Sequence, residues 1–165
     1  MKYYFKQEIT LLFEKGVLYN ENEEEVYTFE GKTFLLPELY LYKNSEFIGR
    51  IVTKPAFFIQ KYEIYLRDEL IDTVTEVPTF FNTKLEMENI GLRVKGNFLQ
   101  FDYDILGGND RVLAHVQEEL LHLTRHYSIE IFDEEQEELL ILIILAIFRF
   151  ANDSDDTHVS SSSGN

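Results

Sequence analysis

The chain has 165 residues, with 30 Asp and Glu against 15 Lys and Arg, for a formal net charge of −15. A surface this acidic repels phosphate backbones, so no nucleic-acid partner is expected, and membrane association is disfavoured unless a local basic patch exists. The absence of Cys excludes disulfides, thiolate metal sites and thiol catalysis, and it fits a reducing, cytoplasmic setting.

One domain is expected over residues 1–152, followed by a disordered polar tail over 153–165. The opening M-K-Y-Y-F-K-Q-E-I-T carries early charges and no apolar stretch, so it does not read as a secretion signal. An aromatic-rich first strand is expected over 3–9, continuing after a bend over 11–17. The acidic run from Asn20 to Glu25 lacks the glycine and alternating ligands of a calcium loop, so a solvated loop is expected there.

Short strands with turn signals follow at 26–30, 39–42, 47–53, 61–66, 71–77, 84–88, 92–95, 98–106, 111–117 and 127–132. Lys43-Asn44-Ser45-Glu46 and Gly107-Gly108-Asn109-Asp110 have hairpin-turn composition. In the 98–106 strand, Phe101, Tyr103 and Ile105 share one face and Asp102 and Asp104 the other. Some ten strands at this spacing predict an antiparallel barrel or sandwich.

Residues 31–66 also resemble 96–131 at a constant offset of 65 without a gap. Gly31 falls on Gly96, Asn44 on Asn109, Tyr62 on Tyr127 and Ile64 on Ile129. Each copy reads strand, Asn-containing turn, strand, loop, Tyr-x-Ile strand, which predicts an internal duplication.

The second copy runs into D-E-E-Q-E-E-L-L-I-L-I-I-L-A-I-F-R-F-A-N (133–152), in which 139–148 is ten apolar residues without a break. A helix over 134–151 is expected, with Asp133 as cap and Gln136 completing a capping box. It has no polar stripe, so it must be enclosed on all sides or sit in lipid. Ten residues fall short of the roughly 18–20 that span a bilayer. Enclosure inside a closed sheet is therefore expected, because a barrel of about ten strands or more needs filling.

Candidate chemistry is sparse. His122 and His126 stand four apart and would share a face if helical, with Glu118 or Glu119 in reach and His115 seven before His122. The string is not H-E-x-x-H, and the duplication places this segment, His122 and His126 included, in a loop matching Pro55 to Lys61, so no metal is assigned. Asp102 and Asp104 are expected in water rather than as an acid–base pair. Arg149 is expected to snorkel to a barrel mouth from the last turn of the helix. No phosphate loop, nucleophile elbow or dinucleotide fingerprint occurs, so no cofactor and no enzymatic activity are expected.

The duplicated hairpin with its Tyr-x-Ile strand, G-N-F-L-Q-F-D-Y-D-I (96–105), R-V-L-A-H-V-Q (111–117), Y-S-I-E-I-F (127–132), the terminal apolar helix and the opening Y-F-K-Q (4–7) resemble the LURP-one-related family. That family shares the tubby C-terminal-like fold, also attributed to phospholipid scramblases. The resemblance implies a closed antiparallel barrel of 12 strands around one central hydrophobic helix. It further implies a non-catalytic binding or scaffold module whose ligand is a protein, small molecule or lipid. Phosphoinositide binding, as in tubby proteins, or a scramblase-like membrane role is the alternative. No binding residue is carried over from the family.

Overall fold

The computed structural model describes residues 1–6, 15–33, 36–54, 61–78, 83–119 and 126–159. Its strands are β1 (Lys2–Lys6), β2 (Lys15–Asn20), β3 (Glu25–Thr33), β4 (Pro37–Lys43), β5 (Glu46–Lys54) and β6 (Lys61–Leu66). They continue as β7 (Glu69–Pro78), β8 (Thr83–Met87), β9 (Leu92–Asn97), β10 (Asp102–Leu106), β11 (Val112–Glu119) and β12 (His126–Ile131), and α1 (Glu137–Val159) follows. Each strand pairs antiparallel with the next, and β12 pairs with β1, so the twelve strands close into a barrel without edges. The expected closed barrel with one C-terminal helix is the observed fold.

Tight turns make the meander possible. Asn44-Ser45, Arg67-Asp68 and Asn109-Asp110 each place two successive residues at positive φ, between 48° and 69°. That is the backbone of the two-residue turn whose twist matches a hairpin, and Asn and Asp tolerate it best. Between β2 and β3, Asn20 Oδ1 accepts hydrogen bonds from the amides of Asn22 (2.9 Å) and Glu24 (3.0 Å), so the acidic run is a capped, exposed turn.

The apolar helix fills the barrel. From Leu140 to Phe148 no residue exposes more than 2% of its surface. Burying this many large side chains contributes on the order of 15–25 kcal/mol gross. The helix packs against β5 at Gly49, where an added Cβ would lie 2.2 Å from the Tyr65 carbonyl and 2.8 Å from Leu142 Cδ1. No helix among the described residues is long and apolar enough to cross a membrane.

Three local expectations are corrected. Residues 98–101 are not strand: Asn97 Oδ1 accepts from the Gln100 amide at 3.2 Å, a 3-10 turn forms over Phe98–Gln100, and Phe101 turns left-handed before β10 begins. Asp133 makes no side-chain cap. It accepts instead from Gln136 Nε2 (3.1 Å) and pairs with Arg111 (3.2 Å), after which a 3-10 turn over Glu134–Gln136 leads into α1. The helical backbone also runs past residue 151 to Val159, through part of the segment expected as tail, while 160–165 lie outside the described residues.

The duplication is present, but its register changes along the chain. At the offset of 65, Ile51 opposite Ile64 repeats as Val116 opposite Ile129, and Gly49 opposite Leu66 as Ala114 opposite Ile131. In β4 the buried residues are Leu39 and Leu41, and in β10 the alternating pair Tyr103 and Ile105 matches them at an offset of 64, with Leu106 buried as well. Strands β1 and β2 correspond to β7 and β8 at 69: Tyr3 and Phe5 fall on Asp72 and Val74, and Leu18 falls on Met87. The repeat unit is therefore six strands, β1–β6 and β7–β12, and the gapless 36-residue alignment sees only part of it.

Candidate functional site

The barrel has two unlike ends. At the end where α1 enters, the buried Glu137 carboxylate accepts from the Tyr27 hydroxyl and from Lys43 Nζ at 2.9 Å. Burial pushes the Glu137 carboxyl up, but hydrogen bonds from Tyr27, Lys43 and Tyr3 outweigh it and hold the group below the ordinary glutamate value. The same contacts run the other way for the phenols: burial first, then Glu137, raises Tyr27 and Tyr3 above the ordinary tyrosine value. A cavity of about 370 Å3 opens beside this cluster, between Tyr3, Asn20, Val26 and Lys43. The arrangement anchors the helix by a partly buried ion pair, and neither phenol is poised to ionise.

At the opposite end the contacts are rings. Phe148 stacks on Phe101 at 4.7 Å and meets Tyr127 edge-on at 4.9 Å, while Phe150 meets Phe98 at 5.7 Å and Tyr62 at 6.0 Å. Arg149, between Phe148 and Phe150 in sequence, is half-buried and forms no ion pair with the described residues; its Nε is buried without a partner among them.

The residues singled out by sequence do not converge. Asp104 and His115 face outward on β10 and β11, where His115 Nδ1 and Asp104 Oδ1 are 2.8 Å apart. Asp102 is exposed on the same face, as expected. His126 opens β12 opposite Glu119, in strand rather than helix, and His122 lies outside the described residues. Since β11 pairs His115 with Glu130, His115 and His126 sit at different levels of the wall. No group of three His, Asp or Glu side chains among the described residues is placed to hold a metal ion.

With the interior filled, the wall's outer face carries the recesses. One groove of about 560 Å3 crosses β1, β2 and β12 between Tyr4, Tyr19, Glu21, Glu119 and His126, and it is acidic and aromatic. The other, of about 290 Å3, lies at the seam of β8 and β9 between Lys84, Leu85, Arg93, Val94, Lys95 and Leu106. Arg93 pairs with Asp110, and Glu86 stands opposite Arg93 in the register, so the exposed Lys84 and Lys95 are the cations there without an ion-pair partner among the described residues. Sequence reading missed this basic cleft because its cations come from different strands. It also missed Asp72, a buried carboxylate that accepts from Asn89 Nδ2 (3.1 Å) and the Ile90 amide (3.0 Å) and so ties down the β8–β9 turn.

These features define a class of protein: a closed twelve-stranded antiparallel barrel plugged by its own C-terminal helix. The chain belongs to the LURP-one-related family, whose model matches residues 1–148. It is also similar to the X-ray structure of a protein from Arabidopsis thaliana, with a TM-score of 0.55 and 13% identity over 88% of this chain and 90% of that one. At that identity the likeness shows the fold alone. No curated protein matches the chain.

Proposed function

We propose that the protein is a non-catalytic binding module of cytoplasmic setting, which engages its ligand on the outer wall of the barrel. One observation carries the reading: α1 occupies the interior, with Leu140 to Phe148 exposing at most 2%, so a ligand meets the strands from outside. Among the described residues, two wall grooves, one acidic and aromatic and the other lined by Lys84 and Lys95, offer surfaces for that contact.

A second reading, peripheral binding to phospholipid, is favoured by Lys84 and Lys95, two exposed cations outside any ion pair among the described residues, in a cleft that also holds the paired Arg93 and Asp110. Flotation with neutral and with anionic vesicles decides between them. The binding-module reading expects the protein to stay unfloated in both. Flotation with anionic vesicles that the double substitution Lys84→Glu, Lys95→Glu abolishes would replace it with the lipid reading.

A further inference from the structure

The two six-strand repeats treat one seam differently. In the first, β2 and β3 pair at five positions, Lys15 with Glu30, Gly16 with Phe29, Val17 with Thr28, Leu18 with Tyr27 and Tyr19 with Glu25. In the second, β8 and β9 pair at two, Glu86 with Arg93 and Met87 with Leu92. These two correspond to Val17–Thr28 and Leu18–Tyr27. Beyond them the equivalents of Gly16–Phe29 and Lys15–Glu30 are Leu85–Val94 and Lys84–Lys95, and there the ladder stops although β8 and β9 both continue.

The residues give a reason. Lys15 faces an opposite charge in Glu30, whereas the same register would set Lys84 against Lys95. Like charges directly across an antiparallel pair repel, and unlike charges attract. The cleft of about 290 Å3 occupies this opened stretch. Its apolar lining is Leu85, Val94 and Leu106, and its rim holds the two lysines, neither in an ion pair among the described residues; Asp104, opposite Lys95 on β10, is hydrogen-bonded to His115. Main-chain groups of 83–85 and 94–96 that would face one another across a closed seam have no strand partner there.

We infer that the open β8–β9 seam is a strand-addition site for an extended acidic segment of a partner protein. The inference rests on the binding-module reading and names the occupant of one of its grooves. An added strand supplies main-chain partners to the facing edges, the usual source of affinity in this mode of recognition, while alternate side chains enter the floor or meet the rim. A carboxylate between Lys84 and Lys95 removes the repulsion that holds the seam apart. Glu86 and Asp110, at the end where the seam is still paired, set the direction: the acidic side chains belong at the lysine end, away from them.

The test uses the full chain and a fluorescein-labelled ten-residue peptide of alternating Glu and Val. Fluorescence anisotropy measures binding, and amide exchange maps it. The expected result is saturable binding, slowed exchange at 84–85 and 94–96, and at least a tenfold loss of affinity in Lys84→Glu, Lys95→Glu with the melting temperature unchanged. A Lys and Val peptide of the same length should not bind. The inference is overturned if the acidic peptide does not bind, if its binding survives the charge reversal, or if protection appears away from the seam. It is also overturned if inorganic phosphate alone displaces the peptide at equal concentration, which would make the lysines a small-anion site. Flotation with anionic vesicles would remove the underlying reading. Peptide failure without flotation would remove this occupant only.

Discussion

The first repeat holds the helix, and the second carries the weak place in the wall. Glu137 is anchored by Tyr3, Tyr27 and Lys43, all from β1, β3 and β4, and the equivalent positions of the second repeat hold Asp72, Leu92 and Gly107. Conversely, β2 and β3 pair over five positions and their counterparts β8 and β9 over two. The two repeats share a scaffold, but one locks the plug, while the other leaves a seam unpaired where its lysines oppose each other. A buried carboxylate serves in both, but to different ends: Glu137 binds helix to wall, and Asp72 binds a turn to its own strand.

The contrast can be broken or sharpened in several ways. The largest effect comes from removing what both repeats share. A chain ending at Asp133 lacks the plug, and the gross burial lost exceeds a net stability of about 5–15 kcal/mol, so calorimetry should show no cooperative unfolding. Next is Phe148→Ala, which opens a cavity among Phe5, Phe101 and Tyr127 and should cost about 3–5 kcal/mol in urea unfolding. Tyr27→Leu gives the first repeat approximately the second's residue. It withdraws one donor from the buried Glu137 and should cost about 1–3 kcal/mol.

The anchor also has a pH signature. The folded-state value of Glu137 is lowered, so its contribution is present above the unfolded value, about 4.3, and is lost as pH falls through the lower folded value. The native chain should therefore lose more melting temperature than Glu137→Gln does between pH 5 and the acid end of the transition, and the two curves should converge there. Equal slopes would remove Glu137 from the account. The smallest stability effect is expected at the seam: Lys84→Glu alone places opposite charges across it and should change stability by no more than about 0.5 kcal/mol. It should still slow amide exchange at 94–96 toward the rates at the equivalent β3 positions.

Much of the fold was legible because its signals are local. Alternation in Tyr103 and Ile105, paired turn residues such as Asn109-Asp110, and the unbroken apolar run from 139 to 148 each state their own structure. The 3-10 turn at Phe98 was hidden because Phe98, Phe101 and Tyr103 are all apolar and buried, and an Asn97 side-chain bond, not periodicity, set the backbone. Glu137 read as a helix-start charge, because nothing near it in sequence announces Tyr27 and Lys43, 110 and 94 residues away. The basic cleft needed the offset of 69 that relates β2 to β8, and a single alignment at 65 cannot set Lys84 beside the Lys15 comparison.

Everything in the comparison presumes that α1 is the common core of both repeats. Native-state amide exchange across 140–148, followed against denaturant, tests this most directly. The account predicts that these amides are the slowest in the protein and exchange only through global unfolding, in step with strands β6 and β12. Fast exchange there, or exchange insensitive to denaturant while the strands stay protected, would show a helix that leaves the barrel without unfolding it and would contradict the account.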